Sequence, residues 1–252
     1  MAKFYIDTAN LDEIKGALSR GFQGVTTNPS LLAKEPKGNY MAHLGKVADL
    51  CRAYPLADGS LPSLSVEVFS SDKKEMVTQA REFSKALKYP NLAVKIHVTH
   101  QGNDNLDVIR ELSREGIAVN CTACMSAYQA VLAAAAGSKY VSLFWGRIKD
   151  AGNIEPKFAS HRAEILEKKI LHENDFNPAT VVSETRSILD MHYPKSKIIA
   201  GSIRSALDIK GASLAGAHVV TVPPKFVPQM MGHYKTEEVV TQFLSDFQSW
   251  LS

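Results

Sequence analysis

Short apolar runs alternate with longer segments of helical periodicity along the whole chain. This alternation is typical of βαβ units and a parallel sheet, whose strands are buried on both faces and are therefore apolar throughout. The pattern predicts eight strands, at Lys3–Ala9, Gly24–Asn28, Leu64–Phe69, Leu92–Val98, Ala118–Cys124, Tyr140–Trp145, Ser196–Ser202 and His218–Pro223. It predicts helices between them, among them Leu11–Ser19, Lys73–Leu87, Asn105–Glu115, Ser126–Ala136 and Ser205–Ala215.

Eight parallel strands can form either an open doubly wound sheet or a closed barrel. No glycine-rich phosphate loop follows the first run, where a dinucleotide-binding sheet would carry one. The sequence therefore predicts an α/β fold, with residues 1–252 forming a single (β/α)8 barrel. Two segments, 35–61 and 150–178, are longer than a minimal barrel needs. The charged stretch from Ser160 to Lys169 in the second is predicted to be a solvated helix.

The last residues of the chain, 236–251, are predicted to form an extra amphipathic helix. Its apolar positions are Val239, Val240, Phe243, Leu244, Phe247 and Trp250. Such a face needs a cover, which is either a neighbouring subunit or the chain's own barrel. The first alternative gives the expectation of a homo-oligomer.

The composition is that of an ordinary globular protein and argues against several classes of partner. Of the 252 residues, 45% are hydrophobic and 22% are charged, and the mean hydropathy is −0.12. The net charge of +3 comes without a Lys/Arg-rich run, so no nucleic-acid partner is expected. No apolar run is long enough to span a membrane, and three cysteines in a chain of this length favour a reducing compartment. A cytoplasmic location is expected.

Charged and polar residues interrupt several of the predicted strands. Asp7, Glu67 and Lys95 lie in the first, third and fourth runs, and Asn120 and Thr122 lie in the fifth. Burying such groups costs several kcal/mol unless nearby groups compensate, so their presence is informative. A barrel gathers the carboxyl ends of its strands at one mouth, which is where active sites of this fold lie. We therefore expect these side chains to converge.

Lys95 is the candidate for imine chemistry. Burial favours the neutral amine form of a lysine, which can attack a ketone and form an imine that serves as an electron sink. C–C bond cleavage also needs a general base, and Asp7 and Glu67 are the candidates. The alternative interpretation is that Lys95 forms a buried ion pair with one of these acids. No metal and no other cofactor is expected, because imine chemistry needs none and no metal-ligand spacing is evident.

Two arginines close the sixth and seventh runs, in Phe144-Trp-Gly-Arg147 and Gly201-Ser-Ile-Arg204. Barrels often bind phosphate at these positions, and two guanidiniums with a hydroxyl and helix-start amides predict an anion site. Either arginine alone would be interpreted as a surface salt bridge. Together they favour a phosphorylated ligand.

Two further features have structural interpretations that compete with functional ones. Cys121 and Cys124 form a CxxC pair, but residues three apart on a strand point to opposite faces, so we expect core packing and neither a disulfide nor a shared metal. His97 shares the side of the strand that carries Lys95. It is either a proton relay or a histidine held structurally by a hydrogen bond.

Six stretches of the chain carry a family resemblance. They are Ile6-Asp-Thr-Ala-Asn10, Gly24-Val-Thr-Thr-Asn-Pro-Ser-Leu31, Val94-Lys-Ile96, Asn120-x-Thr122 with Ser126-Ala-x-Gln-Ala130, Val141-Ser142 through Gly146-Arg147, and Ala200-x-Ser-x-Arg204. In this order they resemble the transaldolase family, particularly its short-chain branch with fructose-6-phosphate aldolase. The resemblance implies a (β/α)8 barrel and transfer of a dihydroxyacetone unit between phosphorylated sugars, as in the pentose phosphate pathway.

The resemblance also implies roles for individual residues. Lys95 would form the Schiff base, Asp7 would deprotonate the C4 hydroxyl, and Glu67 with Thr122 and a water would move protons during imine formation. The implied substrate-binding residues are Asn28, Asn120 and Ser142 for hydroxyls, Phe144 beside them, and Arg147, Ser202 and Arg204 for phosphate.

Within the family, two positions separate transfer from direct cleavage. The direct aldolases resemble one another in carrying Gln and Tyr where this chain has Glu67 and Phe144, so transfer is predicted. Direct aldol cleavage, a modified sugar substrate and a catalytically silent phosphosugar-binding barrel stay as alternatives. The chain departs from the usual family residues at His97, Tyr128 and Trp145, and also at Leu143, which leaves the identity of the sugar open.

Overall fold

Eight parallel strands close into a barrel in the computed structural model, which describes residues 2–152 and 159–251. The strands are β1 (Lys3–Asp7), β2 (Gly24–Thr26), β3 (Ser63–Glu67), β4 (Leu92–His97), β5 (Val119–Cys124), β6 (Tyr140–Phe144), β7 (Lys197–Gly201) and β8 (Val219–Val222). Each strand pairs with its neighbours in chain order, and β8 pairs with β1. The predicted (β/α)8 barrel is therefore confirmed and the open-sheet alternative is wrong.

Helices connect the strands or follow the last of them. They are α1 (Leu11–Leu18), α2 (Pro29–Leu32), α3 (Tyr40–Ala53), α4 (Lys73–Leu87), α5 (Leu106–Arg114), α6 (Ala127–Ala135), α7 (Trp145–Gly152), α8 (Ala159–Glu167), α9 (Pro178–His192), α10 (Ala206–Leu214), α11 (Val227–Met231) and α12 (Tyr234–Leu251). Side chains cap several of them: Asp72, Ser126 and Ser205 each accept a bond from the backbone N–H three residues later, which satisfies a free helix donor.

The two long segments contain helices of their own. Helix α3 occupies the first, and helix α8 lies in the second, where it buries no side chain. The predicted solvated helix is therefore present, but α8 ends at Glu167, two residues before the end of the charged stretch. Residues 153–158 of the second segment lie outside the described residues. A short hairpin, Thr99–His100 paired with Asn103–Asp104, follows β4 directly.

The barrel interior is apolar at one end and polar at the other. Tyr5, Ala93, Tyr140, Ile199 and Val219 form a small separate cluster that fills the end near the strand amino termini. The larger apolar cluster lies between the strands and the surrounding helices. Because side chains of this cluster fill the lower layer, the polar residues of the strands lie toward the carboxyl-terminal mouth, where sites of this fold are found.

Helix α12 does not pack into the chain's own core. Among the described residues of this helix none is buried, and its aromatic side chains Phe243, Phe247 and Trp250 are between 58% and 78% exposed. The sequence suggested that either the chain's own barrel or a neighbouring subunit covers this helix, and the barrel does not cover it. In the described part of the chain, no helix is both long and apolar enough to cross a membrane.

Strand β5 corrects the expectation for the cysteine pair. Ala123 has a positive φ of 61°, and the register with β6 shifts between Cys121 and Cys124. The strand therefore does not alternate regularly here, and the two sulfur atoms lie 3.8 Å apart instead of on opposite faces. Both thiols are free and fully buried, so they pack in the core.

Candidate active site

Four side chains predicted to do chemistry lie on strands that end at the same mouth. Asp7 ends β1, Glu67 ends β3, Lys95 lies in β4 and Thr122 in β5. The register places Glu67 beside Lys95 and Thr122 beside His97 on neighbouring strands. Because alternate residues of a strand share a face, Lys95 and His97 occupy successive layers on the same side of β4.

Lys95 is buried, and its ammonium group has two partners. Nζ lies 2.5 Å from Oε2 of Glu67 and donates to the backbone carbonyl of Thr27 at 3.0 Å. The Glu67 side chain is 20% exposed, so the pair sits at the boundary between the barrel interior and the mouth. This is the geometry of the ion-pair alternative. It also lets a proton pass from Nζ to the carboxylate without any movement of the backbone.

Asp7 lies at the carboxyl end of β1, at the same mouth, and accepts a hydrogen bond from a residue of β2. Its Oδ1 accepts a hydrogen bond of 2.6 Å from Oγ1 of Thr26. Burial raises the pKa of the Asp7 carboxyl, and the nearby Glu67 adds to this, while the Thr26 bond and Lys95 oppose it. Burial prevails, so Asp7 takes up a proton more readily than an ordinary aspartate. The sequence analysis missed Thr26, although it lies in the Thr-Thr-Asn-Pro-Ser segment that carried the resemblance.

A chain of hydrogen bonds links polar side chains across three strands of the barrel interior. Ser142 Oγ donates to Oδ1 of Asn120 at 2.7 Å, and Asn120 Nδ2 donates to Oγ of Ser65 at 3.2 Å. All three residues are buried. Asn120 and Ser142 thus lie together as predicted, beside Lys95, whose register partner on β5 is Asn120. Ser65 is a further member that the sequence analysis did not name.

Thr122 completes the group, but its hydroxyl is unused. Oγ1 is buried and has no hydrogen-bond partner among the described residues. An unpaired buried hydroxyl costs about 1–3 kcal/mol, so a ligand oxygen that reaches it gains that amount back. The structure therefore leaves a hydrogen-bonding position open next to the Lys95–Glu67 pair.

Asn28 and Phe144 lie at the rim of the mouth. The Oδ1 atom of Asn28 caps helix α2 by accepting a bond of 2.9 Å from the N–H of Leu31, so its oxygen is committed to the fold. Phe144 ends β6 and is partly buried beside Gly201 of β7. Their predicted substrate contacts stay predictions.

The predicted anion site contains a carboxylate that the sequence analysis missed. Asp150 forms a bidentate ion pair with Arg204, and its Oδ2 lies 3.7 Å from Nη1 of Arg147. These arginines hold the pKa of Asp150 below its usual range. The spacing of three residues from Arg147 on a helix was the available signal. The two guanidiniums converge on one anionic group, and they also make the salt bridges of the alternative interpretation.

The backbone around this pair is tightly built. A Cβ at Gly146 would overlap the carbonyl oxygen of Ser202 and Nε of Arg204, and the Gly146 N–H donates to that carbonyl at 3.1 Å. Ser202 has a φ of +57°, an unfavourable conformation for a residue with a side chain. Strain of this kind is concentrated at functional sites, which agrees with a binding role for the segment.

A wide cavity lies on the rim of the mouth, and Lys95 is not among its lining residues. It has a volume of about 1020 Å³ and is lined by the segments that follow β1, β2 and β3. Pro29, Tyr40 and the 61% exposed Phe69 give it an apolar wall, and Lys37 and Lys46 give it charge. In the described parts of the chain, no group of three or more His, Cys, Asp and Glu side chains is arranged to hold a metal ion.

Comparison with known proteins gives the family. The family model described as Transaldolase/Fructose-6-phosphate aldolase matches residues 4–251. The chain belongs to this family. Its curated relatives include probable transaldolases from Dehalococcoides mccartyi (36% identical over 248 residues) and Roseiflexus sp. (36% over 249), each aligned over 98% of both chains. A thiamine phosphate pyrophosphorylase from Pyrococcus furiosus has a TM-score of 0.54 at 12% identity, with 88% of this chain and 85% of that chain covered, which is a likeness of fold alone.

A member of the transaldolase/fructose-6-phosphate aldolase family is an enzyme of the transferase or aldolase type. Three residues at which this chain departs from the usual family sequence are Trp145, Tyr128 and His97. Trp145 does not face the mouth: its ring packs against Gly211 of α10, and Nε1 donates to Asp208 at 3.2 Å. The other oxygen of Asp208 accepts the N–H of Arg204. Trp145 thus positions the backbone of Arg204 through Asp208. Tyr128 is 67% exposed on α6.

The third departure, His97, does lie at the mouth. Its Nε2 is buried and has no hydrogen-bond partner in the described residues, so this nitrogen gives no support to the interpretation as a histidine held by a hydrogen bond. Burial lowers the pKa of His97, and the neighbouring His100 lowers it further, while Glu67 opposes them. The ring of His100 lies 5.9 Å away, centroid to centroid, in an edge-on arrangement.

Proposed function

We propose that the enzyme is a class I transaldolase, which transfers a dihydroxyacetone unit from a ketose phosphate to an aldose phosphate through an imine at Lys95. The observation that carries this proposal is the buried ammonium of Lys95, with Glu67 at 2.5 Å and Asp7 close enough for both groups to influence its pKa. The ion-pair alternative does not compete with it. The pair is the resting form from which the reactive amine arises.

Imine formation begins with a proton transfer. Lys95 Nζ gives one proton to Glu67, and the neutral amine attacks the ketone carbon of the donor sugar. The resulting carbinolamine loses its oxygen as water, and that oxygen takes the proton back from Glu67. The enzyme then holds a positively charged iminium beside the Glu67 carboxylate, which occupies the same place as the resting ammonium. The buried environment is thus kept electrically balanced throughout.

Cleavage follows at the carboxylate of Asp7. Its raised pKa makes it a better base than an ordinary aspartate, and it removes the proton from the C4 hydroxyl as the C3–C4 bond breaks. The electron pair of that bond moves into the iminium and leaves an enamine on Lys95. The enamine attacks the acceptor aldehyde, to which Asp7 returns the proton. Water then adds to the product iminium while the Glu67 carboxylate takes one of its protons, the C–N bond breaks, and the protons pass to the nitrogen of Lys95. The product ketose leaves and the resting pair of ammonium and carboxylate is restored.

Substrate binding uses the two polar groups of the mouth. Asn120 and Ser142 offer amide and hydroxyl groups to the retained dihydroxyacetone unit, at the level of Lys95. Arg147, Arg204 and Ser202 would bind the phosphate, which competes with Asp150 for the guanidiniums. A dianionic phosphate has the advantage in this competition, since it carries more charge and more acceptor oxygens.

Fructose 6-phosphate, supplied with and without erythrose 4-phosphate, tests the proposal. We expect turnover only with the acceptor, and borohydride reduction in the presence of the ketose should trap a mass adduct on the peptide that contains Lys95. Turnover without acceptor would favour the direct aldolase instead. Absence of an adduct at Lys95 would contradict both enzymes and support the silent barrel.

We also propose that the enzyme is a homo-oligomer in which α12 covers a second copy. Exposed Phe243, Phe247 and Trp250 form an apolar stripe that a monomer would leave in water. Replacing Phe243 and Phe247 together by glutamate should lower the molar mass measured by light scattering, whereas Gln248→Glu on the same helix should not. A wild-type mass of one chain would contradict this.

The three free cysteines agree with an enzyme of the reducing cytoplasm.

A further inference from the structure

Two buried polar atoms on neighbouring strands lack partners, and they lie next to each other in register. Nε2 of His97 and Oγ1 of Thr122 are both buried without a hydrogen bond among the described residues, and His97 pairs with Thr122 across β4 and β5. A single buried polar atom without a partner destabilises the fold. Two of them at paired positions of neighbouring strands could both be satisfied by one small polar group bound between them. That place lies one layer above Lys95 on the same face of β4.

The imidazole ring is oriented by the local fold. The side chain of Asn105 donates to the backbone carbonyl of His97 at 2.9 Å, and the Asn105 N–H donates to Val98. These bonds fix the start of the hairpin at Thr99, which brings the ring of His100 edge-on to that of His97. His97 as a whole is partly exposed while Nε2 is buried, so this nitrogen is the inner end of the ring.

Burial and the neighbouring His100 favour the neutral form of His97, and the Glu67 carboxylate opposes them. Lys95 lies two residues away on its own strand, and His100 faces it from the hairpin. Glu67 on β3 is the acid that influences it, and this carboxylate is already paired with Lys95. A neutral imidazole with its proton on the outer nitrogen presents Nε2 as an acceptor to the cavity.

We propose that His97 is a further catalytic residue, whose Nε2 together with Thr122 holds the oxygen that leaves the carbinolamine as water. This inference rests on the proposed imine at Lys95. In the step concerned the C–O bond of the carbinolamine breaks, the oxygen takes a proton from the Glu67 carboxylic acid, and the nitrogen lone pair forms the C=N bond. The water that forms donates to Nε2 of His97 and accepts from or donates to Oγ1 of Thr122.

The protonation state of His97 then controls imine formation. A protonated imidazole cannot accept a hydrogen bond from the leaving water, and it adds a second positive charge beside the developing iminium. The rate of imine formation therefore falls as the pH drops through the pKa of His97, which burial and His100 hold below the usual value for histidine. Asp7 acts only in the later C–C cleavage, so its titration does not enter this rate.

Rapid mixing with fructose 6-phosphate, followed by borohydride quenching, measures the rate of adduct formation at Lys95 across pH 4.5 to 8 (roughly the range in which histidines titrate). In the wild type we expect an acid limb in this rate. His97→Gln keeps a polar group but cannot titrate, so the limb should disappear and the plateau rate should fall about tenfold. His97→Asn repeats the test if the glutamine variant melts at a lower temperature.

His100→Gln is the matched control, and it makes a prediction of opposite sense. Removing this imidazole takes away a positive neighbour that lowers the pKa of His97, so the acid limb should persist and move to higher pH. A limb that is unchanged in His97→Gln and His97→Asn overturns the proposal, as does a wild-type rate without a limb. A wild type that gives no adduct at any pH contradicts the proposed function itself, which is a different result.

Discussion

Replacing Lys95 by methionine should lower the proposed transaldolase activity by a factor on the order of 10⁴ or more, because in the proposed mechanism the imine forms on this amine. Methionine keeps the length and apolar body of the side chain but has no amine. Arginine in its place keeps the charge beside Glu67 and the bond to the Thr27 carbonyl, yet its guanidinium is not a nucleophile at neutral pH. Both variants should therefore be inactive, as measured by acceptor-dependent consumption of fructose 6-phosphate.

The two Lys95 variants separate catalysis from stability. Lys95→Met leaves the Glu67 carboxylate without its partner, but that side chain is 20% exposed and can be hydrated, so the loss in melting temperature should be modest. Lys95→Arg should melt close to the wild type. Lys85→Met, at an exposed position on α4, controls for the substitution itself. Residual activity of Lys95→Arg near that of the wild type would show that Lys95 is only half of a structural ion pair.

The strand positions of the site were predictable because burial is a strong filter. A carboxylate or an amine within an apolar run is costly, so Asp7, Glu67 and Lys95 stand out from the sequence alone. Parallel strands in a closed barrel then bring their carboxyl ends together without any knowledge of the loops. The same periodicity located the helices, with Lys73–Leu87 matching α4 at both ends.

The residues that sequence reasoning missed act through contacts between elements distant in the chain. Thr26 matters because it reaches Asp7 on another strand, and Asp150 because it pairs with Arg204, 54 residues away. The cysteine pair was misplaced for a different reason. A positive φ at Ala123 and the shift in strand pairing around it break the alternation of side chains along β5. The pattern of apolar and polar residues in the sequence does not reveal such a break.

Asp7→Asn should lower kcat by about 10³-fold while the borohydride adduct at Lys95 still forms, because the proposed mechanism uses Asp7 in C–C cleavage and not in imine formation. The position also has a defined pH dependence. Only ionised Asp7 can accept the C4 proton, and its pKa is raised by burial, so kcat for transfer should fall with decreasing pH earlier than an ordinary aspartate would cause. If the variant lost both the adduct and the activity, Asp7 would be needed for imine formation, and the role proposed for it in C–C cleavage would be contradicted.

Thr26→Val tests the physical cause of this pH dependence. The hydroxyl of Thr26 donates to Asp7 and lowers its pKa, so removing it should shift the acid limb of kcat to higher pH, whereas Thr26→Ser should leave the limb in place. Stability has the corresponding sign. Since the folded-state pKa of Asp7 lies above the unfolded one, folding is favoured by its protonation at low pH, and that contribution is lost as the pH rises through the folded pKa. At neutral pH the neutral asparagine avoids burying a charge, so Asp7→Asn should melt no lower than the wild type despite its loss of activity.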